Sequence, residues 1–392
     1  MMLADRNKCT GCMSCYNICA RDAIKMESDN MGFLHPVIDI NNCVECGMCE
    51  KSCPVLMGAN TNNVHTKEVY AAWNRDEKVR KDSSSGGIFF AIAEYILEKQ
   101  GIVIGAGFDD NMHVVQTAIE SKSDIWKLQG SKYVQSYVGD MYRVVKNNLA
   151  LGRMVLFVGT PCQVAGLKKF LGNYDKGMLR TIDLVCHGAP SPKILREYFD
   201  YVEEKYKGNV RQVLFRDKKY GWKKYSMSIK LDNGKKDVGT YTFSPYLNGF
   251  MKDLYLREAC YQCEYASLDR YGDLTLGDFW GYKSQNQNDI DDDKGISFVL
   301  VNSIEGKEIL ENIKNKIVYF ARNIDDVKIG NPSLYMQTKE PADRRFFLKE
   351  YKDNGFNYVL DKYMKKEPTL KEKIALKCPK FVKKILKGKK TS

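Results

Sequence analysis

The stretch CTGCMSCYNIC, Cys9 to Cys19, spaces four cysteines as C-x2-C-x2-C-x3-C, and CVECGMCEKSC, Cys43 to Cys53, repeats the spacing before Pro54. Each two-residue step turns the chain, so three thiolates wrap one face of a cubane. The fourth cysteine stands one residue further on, enters a short helix, and reaches across to the other cluster where the run occurs twice. This reading assigns Cys9, Cys12, Cys15 and Cys53 to one 4Fe-4S cluster, and Cys43, Cys46, Cys49 and Cys19 to a second. Gly11 and Gly47 leave room for backbone N–H groups to approach the inorganic sulfides. Two zinc knuckles are the alternative, but zinc sites use pairs of ligands separated by a longer spacer. His35, beside Pro36, reads as a loop or strand-end histidine rather than a ligand.

Outward from the quartets, the 392 residues predict two to three domains on length alone. With 44% hydrophobic and 28% charged residues there is material for a packed core, so global disorder is excluded. The formal charge is +12, of which +9 lies between Lys365 and Lys390. The remaining +3 excludes a uniformly basic surface, and no nucleic-acid partner is expected. Met1 to Lys8 is polar, with no signal-like stretch, and no run approaches the ~18 apolar residues of a membrane span. A cytoplasmic location is therefore expected, where clustered cysteines bind metal or carry redox chemistry. In the tail, Leu370 to Leu386, the residues Ile374, Cys378, Phe381 and Ile385 fall at helical spacing among lysines. That fits a peripheral contact with the inner face of a membrane or with a partner protein; a solubilising terminus fits equally well.

Residues 1–58 are expected to form the two-cluster ferredoxin-type domain, 59–67 a linker, 68–150 and 151–335 two parts of one body, 336–364 a helical extension, and 365–392 the basic tail. Within the body, helices are expected at Ile88–Gln100, Met141–Leu151 and Pro192–Tyr206, and between Gly159 and Phe170. Strands are expected at Ile102–Phe108, Met154–Val158, Thr181–Val185, Val213–Phe215, Tyr225–Leu231 and Ser297–Val301. The fold class is α+β (mixed α/β). Gly105 and Gly107 in GAGFDD lack the third glycine of a dinucleotide fingerprint and read as a strand end.

Four more cysteines follow: Cys162 in GTPCQ, Cys186 in CHG, and Cys260 with Cys263 in a C-x-x-C. The first two sit at the ends of expected strands, whose C-termini converge on one sheet edge. On spacing alone, zinc and an iron–sulfur cluster are equally good readings of this set.

The motifs SSSGG (83–87), QGSKYVQS (129–136), GTPCQ, CHG, FRDKKYGW (215–222), C-x-x-C and GDLTLGDFWG (272–281) occur in that order. Over roughly residues 68–320 they resemble the coenzyme F-420 hydrogenase/dehydrogenase beta-subunit family, which includes 7-hydroxymethyl chlorophyll a reductase. The resemblance implies a non-Rossmann flavin-binding α/β body with FAD beside a third 4Fe-4S cluster on Cys162, Cys186, Cys260 and Cys263. It points to Ser85, Gly86, Gly87, Lys132, Thr160 and Gln163 as the flavin site. It implies a flavin-dependent iron–sulfur oxidoreductase that passes electrons between a ferredoxin-like carrier, the clusters, FAD and a small organic substrate. Similar fused chains accompany surface-polysaccharide synthesis. The alternative is an electron-transfer subunit with no substrate of its own. Homo-oligomerisation is compatible with either reading.

His187 is a weak candidate for a proton donor, since a lone histidine at a strand end is more often structural. Ser84 or Ser85 reads as a helix N-cap, and Lys132 as a solvated lysine unless it lies over a phosphate. Arg216, Asp217 and Lys218 read as a charge run facing substrate or solvent. Trp222, Trp280, Asp273 and Asp278 read as core and turn residues.

Overall fold

The computed structural model describes residues 2–58, 61, 68–174, 177–285 and 291–367. Most of the expected linker and nearly all of the basic tail lie outside the described residues. At the N-terminal side, strands β1 (Ile24–Ser28) and β2 (Leu34–Ile38) pair antiparallel between the two quartets. Each quartet wraps by the same backbone device. Gly11 and Met13 adopt left-handed φ values of 69° and 64°, and their counterparts Glu45 and Gly47 adopt 52° and 71°. Glycine is thus used at one of the two turning positions in each repeat, and the other tolerates a side chain.

The body follows. Strands β3 (Glu68–Asn74), β4 (Ile102–Phe108), β5 (Val114–Ile119), β6 (Val155–Gly159) and β7 (Leu179–Leu184) come first along the chain. Strands β8 (Val210–Asp217), β9 (Ser226–Leu231) and β10 (Lys236–Thr240) form a separate antiparallel sheet. Strands β11 (Leu274–Asp278), β12 (Ser297–Val301) and β13 (Ile317–Arg322) return to the first, giving an eight-stranded sheet ordered β13-β3-β12-β11-β7-β6-β4-β5. Its centre, β4, β6, β7 and β11, is parallel; the flanking pairings are antiparallel. Central strands that are buried on both faces read as continuous apolar runs, as VLFVG at β6 does.

Helices cover both faces. The Ile88–Glu98 and Ile304–Ile313 helices bury Ile88, Ile92, Ile96, Ile309 and Ile313 against one face. On the other face, the Met141–Ala150 and Pro161–Leu171 helices bury Tyr142, Val145, Leu149, Val164 and Leu167, and Met13 of the first quartet joins this core. The Pro192–Tyr206 helix packs on the small sheet together with Phe347 and Leu360 from the C-terminal helices. After β4 the chain turns at Asp109 and returns as antiparallel β5, so GAGFDD opens no phosphate-binding helix.

Three expectations are corrected. The N-cap of the Ile88–Glu98 helix is Gly87, at φ 84°, not Ser84 or Ser85. Ser84 instead accepts from the Ser131 N–H at 2.7 Å, and Ser85 donates to the Ile296 carbonyl at 3.0 Å. Arg216 is not part of a solvated charge run: it is buried, pairs with Asp278 at 2.8 Å and lies 4.0 Å from the Tyr225 ring. Lys132 is half-buried and bonds backbone carbonyls rather than standing in water.

Candidate redox centre

The parallel register gathers the C-terminal ends of the central strands along one edge. Gly159 of β6 lies opposite Asp183 of β7, and Leu276 of β11 lies opposite Leu184. Thr160 and Cys162 therefore follow directly after β6, Cys186 follows β7, and Asp278 closes β11 at the same edge. Ser297, the first residue of antiparallel β12, pairs with Asp278, and its hydroxyl accepts from the Gly86 N–H at 2.9 Å. Gly86 is required here, because a Cβ would stand 2.4 Å from the Ala72 carbonyl.

Beneath the edge, Asp183 is fully buried and accepts from Arg270 at 2.7 Å, from Thr275 at 2.7 Å, and from the Tyr271 and Gly272 N–H groups. A charge pair at such depth holds only when its lone pairs are satisfied throughout. The pair also ties the segment after Cys263 to the strand that leads to Cys186.

The twelve described cysteines are all free. Cys162, Cys186, Cys260 and Cys263 stand near enough that thiolate charges on them would repel one another. Burial pushes the thiol of Cys162 up to about 11 and that of Cys260 up to about 12, and raises Cys186 and Cys263 as well. Four such thiols would ionise together only if a cationic centre replaced their protons. The Thr160 hydroxyl lies 3.2 Å from the Cys162 sulfur, and the Ala189 N–H donates to the Cys260 sulfur at 3.3 Å.

In the ferredoxin-like part, Cys53 stands beside Cys9 and Cys15, and Cys43 beside Cys49. Burial pushes the Cys15 thiol up to about 12. Burial also opposes ionisation of Cys9, but His35 and Arg257 outweigh it and hold that thiol below its ordinary value. The hydroxyls of Thr10 and Ser14, inside the first quartet, are buried without a protein partner. Orphaned donors between cysteines are what the sulfides of a cubane would satisfy, so these residues fit such a group. Among the described residues, no three His, Cys, Asp or Glu side chains gather closely enough to hold a single metal ion.

Cys12 of the first quartet lies against Gly166, one helical turn beyond Cys162 on the Pro161–Leu171 helix: a Cβ at 166 would stand 2.9 Å from the Cys12 sulfur. The rings of Tyr142 and Tyr265 pack in the same core, close to both Cys12 and Cys162. The ferredoxin-like part is held in place by body side chains. Arg143 donates to the carbonyls of Asn17 and Cys19, and Arg257 to those of Cys9 and Leu34.

The residues named for a flavin fall in two neighbourhoods joined by the segment 129–136. Ser85, Gly86 and Gly87 sit at the β3–β12 end. Gln129 donates to Ser83 at 2.8 Å, and the Ser131 N–H donates to Ser84, which ties the segment to that loop. At its other end Ser136 accepts from Gln163 at 2.9 Å. Thr160 and Gln163 form a reciprocal capping box at the Pro161–Leu171 helix start. Lys132 donates to the Lys127 and Gln129 carbonyls. Lys218 donates to those of Arg80, Ser85 and Lys294. Burial lowers both lysines to about 7, and neither forms an ion pair among the described residues. Two half-buried lysines without a carboxylate in direct contact among the described residues, beside a glycine-rich turn, fit a pyrophosphate whose charge would favour their protonated forms.

His187 bonds Asp253 and stands edge-on to Phe250 at 5.4 Å. His35 is a strand residue of β2, buried between Asp29 at 3.1 Å and Arg257 at 3.3 Å. Sequence reasoning missed Arg257, Arg143, Asp183, Tyr142 and Tyr265, whose contacts with the cysteine-bearing segments span large separations along the chain and carry no local spacing signal. It underrated Lys218.

Three family models match the chain. One is a 4Fe-4S dicluster domain, over residues 8–57. The other two describe the coenzyme F420 hydrogenase/dehydrogenase beta subunit, its N-terminal part over 69–141 and its C-terminal part over 152–327. No curated protein matches. A solved chain from the xenon-derivatised F420-reducing NiFe hydrogenase complex of Methanosarcina barkeri matches at 18% identity and TM-score 0.45, covering 78% of this chain and 92% of that one. No helix among the described residues is long and apolar enough to cross a membrane. The chain belongs to the coenzyme F420 hydrogenase/dehydrogenase beta-subunit family and carries a 4Fe-4S dicluster domain, which makes it an iron–sulfur electron-transfer protein.

Proposed function

We propose that the chain is an iron–sulfur flavoprotein oxidoreductase acting on a small organic substrate, with FAD at the sheet edge between the Ser83–Gly87 turn and the third cysteine set. The observation that carries this reading is the unbroken succession of thiol groups. Cys46 is exposed in the second quartet, Cys9 and Cys12 of the first are buried, and Cys12 touches the helix that carries Cys162. Cys9, Cys12, Cys15 and Cys53 hold one cluster, Cys43, Cys46, Cys49 and Cys19 another, and Cys162, Cys186, Cys260 and Cys263 the third.

A flavin bound there supplies the conversion between one-electron and two-electron flow. The chain's own residues bind and orient it. Lys218, bonded to the Ser85 carbonyl, and Lys132, in the segment that Ser84 holds, would supply positive charge to a diphosphate at the Ser85–Gly87 turn, and Thr160 and Gln163 fix the helix start beside Cys162. His187, held by Asp253, would be the residue to hold a proton for the substrate. The exposed apolar side chains Val44 and Met48 flank Cys46 in sequence and suit contact with a ferredoxin-like carrier.

Anaerobic purification with iron, sulfide and flavin analysis tests the reading: about twelve irons with acid-labile sulfide and FAD are expected. About eight irons with bound zinc would assign the third set to a structural site. Failure to take up FAD on reconstitution would remove the flavin. Reoxidation of the reduced protein alone by organic substrates separates an enzyme from an electron-transfer subunit without a substrate of its own. The beta-subunit family relationship favours the latter as the second reading.

A further inference from the structure

Arg257 is 2% exposed. Its guanidinium donates to the Cys9 carbonyl at 2.6 Å, to Gln135 Oε1 at 2.9 Å and to the Leu34 carbonyl at 3.0 Å, and it meets His35 Nδ1 at 3.3 Å. None of these acceptors is a carboxylate, and Arg257 forms no ion pair among the described residues. A buried cation left uncompensated costs several kcal/mol, so its neutralising charge must be sought nearby.

Two anionic centres are within reach. A Cβ on Gly11, between Cys9 and Cys12, would stand 3.0 Å from the guanidinium. On the other side, the Arg257 backbone belongs to the turn that carries Cys260. The Arg257 carbonyl accepts from the Cys260 N–H at 2.9 Å, and the Arg257 N–H donates to the carbonyl of Ala189, whose own N–H donates to the Cys260 sulfur. Arg257 is thus near enough to act electrostatically on Cys9, Cys162 and Cys260 alike.

Arg143 gives the contrast. It also donates to a quartet carbonyl, that of Cys19, but it is about one-third exposed and paired with both Asp22 and Asp140. Its charge is spent on carboxylates, whereas that of Arg257 is not.

We infer that Arg257 is the shared counter-cation of the first quartet's cluster and of the third cysteine set, a positioning residue that makes both centres easier to reduce than they would be without it. Adding an electron increases the negative charge of a cluster, and a fixed buried cation stabilises that added charge in a low dielectric.

This inference rests on the cluster assignment proposed above, and the test separates the two. Redox titration of the anaerobically purified full chain, followed by electron paramagnetic resonance, is run on wild type, Arg257→Gln, Arg257→Lys, Gln135→Glu and Arg143→Gln. The expected result is that Arg257→Gln lowers the potentials of two of the three centres by a tenfold or larger change in the one-electron equilibrium, about 59 mV or more. Arg257→Lys, which keeps the charge, restores most of the shift. Gln135→Glu places a carboxylate against the intact guanidinium and lowers the same two potentials, so the inference stays testable if Arg257→Gln does not fold. Arg143→Gln, which removes a comparable set of bonds across the same seam, leaves them unchanged. Unchanged potentials in both Arg257→Gln and Gln135→Glu with full iron content, or equal shifts in Arg143→Gln, would overturn the inference while leaving the cluster assignment intact. Absence of three clusters in the wild type would instead overturn the assignment.

Discussion

Cys12 packs directly on Gly166: the Cys12 sulfur lies 2.9 Å from where a Cβ at position 166 would stand, and the Tyr142 hydroxyl lies at 3.1 Å from the same point. The glycine is what lets the ferredoxin-like part approach the helix that begins beside Cys162. Gly166→Val forces the loop and helix apart in a filled core, at an expected stability cost of about 1–3 kcal/mol by denaturant titration. Magnetic coupling between the first and third clusters should weaken in the same variant. Coupling equal to wild type would mean that the contact does not set the distance between the two centres.

The proposed exchange of the fourth cysteines between the two quartets is tested by substitution. Cys53→Ser is expected to alter the signal of the cluster that couples to the third centre, whereas Cys19→Ser alters that of the other. The opposite pattern in electron paramagnetic resonance would show each quartet to be self-contained.

Asp183 and Arg270 form an ion pair with both side chains at or below 1% exposure. Asp183→Asn leaves the Arg270 charge buried without its partner, and about 3–5 kcal/mol of stability should be lost. The shift in denaturation midpoint measures this, and a shift below about 1 kcal/mol, on the scale of a surface pair, would contradict it.

Lys132 and Lys218 predict a proton linkage. Burial lowers both to about 7, below the ordinary lysine value of about 10.4. The folded apoprotein therefore holds fewer protons than the unfolded chain above that point, and its stability should rise with pH from about 7 toward 10. A diphosphate bound between the two lysines favours their charged forms, so FAD binding at pH 8 should take up protons. Calorimetry in two buffers of different ionisation heat reads that uptake. It should diminish in Lys218→Met, and heats independent of buffer would count against these lysines as the diphosphate site.

The two quartets are legible in the sequence because three of four thiolates in each come from a single tight turn of chain. Spacing of two residues fixes which atoms meet; the continuous apolar runs of β4 and β6 and the helical period of Pro192–Tyr206 are local in the same way, and the structure places their ends within a residue or two of expectation. The helix after SSSGG was legible too, but its cap was not, because Ser84 and Ser85 had better partners at Ser131 and Ile296 than the adjacent N–H groups.

Local spacing determined the ferredoxin-like repeat, the apolar runs of the central strands and the presence of a second cysteine set. Only the tertiary structure decided that Cys12 meets the Cys162 helix, that Lys218 turns back onto Ser85, and that Arg257 reaches Cys9 across 248 positions of sequence. The physical reason is the range of the interactions. A turn or a helix face is set by neighbours a few residues apart, whereas the company of a buried charge depends on strand order and on which side of the sheet each crossover lies.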